Sequence, residues 1–168
     1  VRIEPIIETP YLMTGVWRRF VVHLFEGKVT LSDMDLLEAK GAEWEAKLPG
    51  KLVELVVIFP SKARMTQEER VRMAGIIKRS EGRRLASATV ILADTLLGSF
   101  HRSVLTGLQM LAPPSHPTKV FGDVPSSVKY LAPYAQEVCG PAAKADILQA
   151  GVIDLSARFV SRPAKSSE

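Results

Sequence analysis

Residues 52–59 read Leu-Val-Glu-Leu-Val-Val-Ile-Phe, and Pro60 follows at once. A run this short and this apolar fits a strand buried on both faces better than a strand with one wet side. Such a strand needs helices on both faces, so this stretch constrains the fold more than any other. The neighbouring segments supply the helices. After the loop Ser61-Lys62-Ala63-Arg64-Met65, Thr66 and Glu69 stand at capping-box spacing, and Val71, Ala74 and Ile77 recur on one helical face until Gly82.

The same alternation extends in both directions. Upstream, Trp17, Phe20, Val22 and Leu24 predict a strand over 16–25 that ends at Gly27. A helix follows, capped by Thr30 or Ser32, with Asp33 and Asp35 in its first turn, where carboxylates favour the positive end. Leu31, Met34, Leu37, Trp44 and Leu48 keep helical spacing up to Pro49-Gly50. Downstream, a third strand is expected over 86–92, a third helix over 96–111 and a short fourth strand over 118–121. A fourth helix is expected to start near Val124-Pro125 and to end or bend near Leu131, because Pro133 lacks the N–H that a helix interior needs. Residues 134–155 read as helical again, divided by Gly140-Pro141 and Gly151.

Strands alternating with helices imply an α/β domain with a mostly parallel sheet of four or five strands and helices packed on it. The expected organisation is an entry segment over 1–14, broken by Pro5 and Pro10 with Ile6-Ile7 as a short edge strand, then a β-α-β-α-β-α-β-α domain over 15–132. A C-terminal helical extension over 133–160 and a flexible tail over 161–168 complete it. The 168 residues suit one domain with a real core.

Composition narrows the function classes. A net charge of +4 is too mild for a typical nucleic-acid binder, so nucleic acid is not the expected partner. Cys139 is the only cysteine, which excludes an internal disulfide and fits a reducing cytoplasm. No signal-peptide pattern opens the sequence, and no apolar run is long enough to span a bilayer.

The candidate binding residues lie in two loops after strands. Ser61, Lys62, Arg64 and Thr66 precede the second helix, where strand-end loops and helix N–H groups attract anions. Thr66 is already accounted for as a cap. Asp94, Thr95, Gly98 and Ser99 follow the third strand and would line the same crevice, although Asp94 or Thr95 also suits a cap. His23, His101 and His116 are not spaced as metal ligands. Ser99 and His101 would point about 200° apart on a helix, so they form no nucleophile–base pair. The basic run Arg70, Arg72, Lys78, Arg79, Arg83 and Arg84 reads as a solvated helix face, and Cys139 as a small packed residue. No metal, cofactor or catalytic motif is expected from these residues.

The element order resembles the STAS fold, shared by sulfate transporters and anti-sigma factor antagonists. More locally, the chain is similar to stand-alone bacterial STAS-like proteins of unknown function. The likeness rests on Phe25-Glu26-Gly27-Lys28-Val29-Thr30-Leu31, on residues 84–90 with their Arg-Leu-Ala-x-Ala-x-Val pattern, and on Pro117-Thr118-Lys119-Val120-Phe121-Gly122-Asp123. Phosphorylatable antagonists carry an Asp-Ser-Ser/Thr-Gly type motif where this chain has Phe59-Pro60-Ser61-Lys62-Ala63-Arg64. The resemblance implies a non-enzymatic regulatory or protein-interaction module whose partner is another protein or a second copy of the chain, as in a homodimer. The alternatives are a small-molecule domain for an anion or nucleotide and, third, an uncharacterised enzyme.

Overall fold

The computed structural model describes residues 1–26, 29–61, 65–92, 110 and 113–162. Their sheet has six strands in the order of the chain: β1 (Glu4–Glu8), β2 (Leu12–Trp17), β3 (Phe20–Phe25), β4 (Leu52–Ile58), β5 (Arg84–Ile91) and β6 (Thr118–Phe121). β1, β2 and β3 form an antiparallel meander, and β3 to β6 run parallel. The helices are α1 (Leu31–Ala46), α2 (Gln67–Ser80), α3 (Val124–Cys139) and α4 (Ala145–Val160), with a 3-10 turn at Glu81–Arg83. The expected third helix lies outside the described residues except for Met110, which is helical and exposed.

The sheet is therefore larger than the four or five strands expected. The single strand expected over 16–25 is a hairpin, because Trp17 pairs with Phe20 and the chain reverses at Arg18-Arg19. Arg18 takes φ +54°, a conformation usually left to glycine, so no turn residue announces the reversal. Ile6 and Ile7 do belong to an edge strand, β1.

The capping box expected at Thr66 and Glu69 forms, and α1 opens on a second one, with Thr30 as its cap. Thr30 Oγ1 accepts from Asp33 N at 3.2 Å and Asp33 Oδ2 accepts from Thr30 N at 2.8 Å. Thr66 Oγ1 accepts from Glu69 N at 3.1 Å and Glu69 Oε2 accepts from Thr66 N.

One face of the sheet is covered by α3 and α4. Val22, Leu24, Val53, Leu55, Val57, Ala86, Ala88 and Val90 alternate onto it and pack against Val128, Leu131, Ala135, Leu148, Val152 and Leu155. This packing explains why α3 does not stop near Leu131. Pro133 sits on its solvent side, and the buried residues Val128, Leu131, Ala132, Ala135 and Cys139 hold the helix through the missing hydrogen bond until Gly140, at φ +87°, ends it. Gly151 likewise does not divide α4; it is buried, with the Val1 carbonyl oxygen and the Ile3 side chain 3.0–3.2 Å from where a Cβ would stand.

The opposite face carries α1 and α2. Ile7, Leu12, Val29, Met34, Leu37, Met73 and Ala74 close it at the β1–β2 side. Over β3, β4 and β5 the helices stand off the sheet. No helix among the described residues is long and apolar enough to cross a membrane.

Candidate functional site

The space under α1 and α2 is a cavity of about 420 Å³. Val21, Phe25, Leu37, Trp44, Val56 and Met73 are among its apolar walls. Its floor is the sheet face that bears Thr14, His23, Glu54, Ser87, Thr89 and Thr118. Strand alternation accounts for most of this set, since His23 and Glu54 sit one pleat away from the core residues Val22, Leu24, Val53 and Leu55.

Arg84 reaches the same face through an irregularity. Leu52 pairs with Arg84, yet Val53 pairs with Ala86, so Leu85 is an extra residue in β5. Simple alternation would put Arg84 on the side of Ala86 and Ala88. The bulge turns it to the side of Ser87 and Thr89.

These side chains form two hydrogen-bonded clusters across five strands, joined by the ion pair of Arg84 and Glu81. Thr14 Oγ1 lies 2.9 Å from His23 Nδ1, and His23 Nε2 lies 3.3 Å from Glu54 Oε1. Arg84 donates to both oxygens of Glu54, from Nε and Nη2, at 2.7 Å each, and from Nη1 to the Ile77 carbonyl at 3.1 Å. Arg84 Nη1 also faces Glu81 Oε2 at 3.9 Å. Glu81 Oε1 then accepts from His116 Nδ1 at 2.7 Å, from Ser115 Oγ at 3.0 Å and from the Ser115 backbone N–H. His116 Nε2 lies 2.9 Å from Ser87 Oγ, and Ser87 Oγ lies 3.0 Å from Thr118 Oγ1.

The electrostatics favour fixed charges. Burial alone drives the Glu54 carboxyl upward, yet the Arg84 guanidinium and the His23 ring hold it well below the usual carboxylate range. Burial opposes the Arg84 charge in the same way, and Glu54 overrides it and raises Arg84. Partial burial also pushes Glu81 upward, and the Ser115 donors and His116 reverse that and lower it. At the rim, Arg79 pairs with Glu38. Each arginine among the described lining residues thus faces a carboxylate, which leaves no unpaired arginine there for an anionic ligand.

The solvated reading of the basic run needs correction at two positions. Arg84 is buried in the ion pair just described, and Arg83 Nη2 donates to the Glu45 and Leu48 carbonyls at the end of α1. Among the loop candidates, Thr66 caps α2 and Ser61 precedes it; Lys62, Arg64, Asp94, Thr95, Gly98 and Ser99 lie outside the described residues. Those loops follow the C-terminal ends of the parallel strands, whereas Arg84, Thr118, His116 and Glu81 lie at or before the N-terminal ends of β5 and β6. The network was missed in the sequence, although Glu54 gives a signal: a carboxylate in the middle of a strand covered on both faces demands a cationic partner. Cys139 is buried in the core, where burial pushes its thiol up.

Among the described residues no group of three or more His, Cys, Asp or Glu side chains is placed to hold a metal ion. No protein-family model, curated protein or solved structure matches the chain.

Proposed function

We propose that the chain is a small-molecule-binding module of STAS-like architecture, and that its ligand is uncharged and largely apolar. The observation that carries this reading is the cavity under α1 and α2: its volume suits a small ligand, its walls are apolar, and its polar floor is internally paired. The pairing favours a neutral molecule over the anion or nucleotide expected from the loops, because an anion would have to compete with Glu54 and Glu38 for the arginines. A hydroxyl or carbonyl on the ligand would meet Ser87, Thr89 or Thr118 on the floor.

The regulatory role implied by the STAS resemblance then takes a physical form. Ligand occupancy would set how firmly α1 and α2 rest on the sheet, and their outer faces would report this to a protein partner in the cytoplasm. A neutral polarity-sensitive dye such as Nile red tests the binding step. Saturable uptake is expected, with a higher melting temperature as ligand concentration rises. Val56→Trp, which fills the cavity from the middle of β4, should abolish uptake while circular dichroism stays unchanged. Failure of the wild-type protein to take up the dye or to be stabilised by any member of a panel of neutral apolar compounds would overturn the reading.

A further inference from the structure

We infer that the cavity is also reactive: Ser87 is a nucleophile, His116 its general base and Glu81 the residue that positions the base, and the substrate class is an uncharged ester with an apolar acyl group. The inference rests on the ligand reading above and adds a chemical step to it. Three observations carry it. Ser87 Oγ is within hydrogen-bond reach of His116 Nε2 at 2.9 Å. The other ring nitrogen, Nδ1, is held by Glu81 at 2.7 Å, which places a proton on Nδ1 and leaves Nε2 to accept from the serine. All three side chains line the cavity, whose apolar walls would take the acyl chain and exclude water from the reacting atoms.

This is the arrangement that activates a serine: nucleophile, base and orienting carboxylate in sequence, recognised by geometry and not by spacing in the chain. The residues come from the strand β5, the loop before β6 and the 3-10 turn before β5, so no linear motif contains them. Glu81 is suited to its part because its carboxyl stays ionised beside the ring, with Ser115 donating to the same oxygen from its backbone and its hydroxyl. Thr118 Oγ1, 3.0 Å from Ser87 Oγ, donates to the His116 carbonyl at 3.1 Å and so ties the residue that carries the base to the start of β6.

The step balances without an oxidant or cofactor. Ser87 Oγ bonds to the ester carbonyl carbon as its proton passes to His116 Nε2. The bond from that carbon to the alcohol oxygen breaks, and His116 gives the proton to the departing alcohol. Water then attacks the acyl-serine, passing a proton to His116, and the serine oxygen leaves with it. Ester and water become carboxylic acid and alcohol.

An alkyl fluorophosphonate reads the activated serine directly, since attack by Ser87 forms an oxygen–phosphorus bond and expels fluoride. Intact-mass and peptide analysis of the full chain should find one phosphonyl group, on Ser87. Labelling should disappear in Ser87→Ala and fall about 100-fold or more in His116→Ala, the usual scale of general-base assistance. Glu81→Gln can still accept from His116 Nδ1 but loses the charge, so labelling and hydrolysis of p-nitrophenyl butyrate should drop; a purely structural Glu81 would leave reactivity unchanged. Dye uptake by the wild-type protein with no adduct on Ser87, or an adduct only elsewhere, overturns the inference and spares the ligand reading. Absence of both dye uptake and adduct overturns both.

Discussion

Arg84 and Glu54 meet fork to fork, through two parallel hydrogen bonds of 2.7 Å, between the first residue of β5 and the third of β4. Both side chains are buried, and His23 adds a third contact to the carboxylate. A buried pair of this geometry resists the loss of either partner far more than its net contribution to stability would suggest, because the survivor is left charged and unsolvated. Glu54→Leu or Arg84→Met alone should therefore cost about 3–5 kcal/mol in urea unfolding, whereas the double variant should recover most of that loss.

The same pair sets a pH dependence. The Glu54 carboxyl is depressed in the folded chain from an ordinary value of 4.5. Its stabilisation is fully present above that value. As the pH falls below it, the unfolded chain binds the proton first and stability declines through the folded value. Glu81 is depressed as well and acts in the same direction. Urea midpoints measured from neutral pH down to about pH 3 should fall steeply for the wild-type protein and less steeply for Glu54→Gln.

The elements that were legible in the sequence are those with local causes. Thr30 and Thr66 announce α1 and α2 because a cap bonds within its own turn, and β4 is evident because both its faces are covered. The meander was not legible, since its second turn is made by Arg18 and Arg19, residues with no turn preference. Nor was the site. Arg84 reaches Glu54 only because Leu85 bulges, and His116 reaches Glu81 and Ser87 only after β6 pairs with β5. Register between distant strands is a tertiary property that no window of sequence contains.

Gly15 marks a close approach between β2 and α4. A Cβ there would stand 2.7 Å from Ile3 Cγ2 and 2.7 Å from Leu155 Cδ2, both on fully buried side chains with little freedom to retreat. Gly15→Ala should destabilise by about 1–3 kcal/mol through overpacking. Leu155→Val would withdraw the obstructing methyl, so the double variant should be more stable than the sum of the two single losses predicts, which a double-mutant cycle by urea unfolding measures.

Arg18 combines a strained backbone with a useful side chain. Its φ of +54° is costly for any residue with a Cβ, while its guanidinium donates to the Cys139 carbonyl and lies 5.0 Å from the Trp17 ring centroid. Arg18→Ala loses the side-chain contacts and keeps the strain; Arg18→Gly loses the contacts and relieves the strain. The glycine variant should therefore be the more stable of the two by about 1 kcal/mol. Equal melting temperatures for the pair would show that the turn carries no such strain.

Pro133 is a removable fault in α3. The ring denies the Lys129 carbonyl its usual i+4 donor and crowds the preceding turn, a penalty of about 3 kcal/mol relative to alanine in a helix interior. Its position is solvent-exposed, so a change there touches little of the packing that holds Val128, Leu131, Ala132 and Ala135 against the sheet. Pro133→Ala restores the donor and takes nothing from the core. The gain should fall below the full penalty, because the freed chain regains entropy when unfolded. An increase of about 1–2 kcal/mol in urea unfolding is expected, with unchanged dye uptake and unchanged Ser87 labelling, since α3 lies on the face of the sheet opposite the cavity. A loss of stability would mean that the ring at Pro133 is itself needed for α3 to pack along β4 and β5.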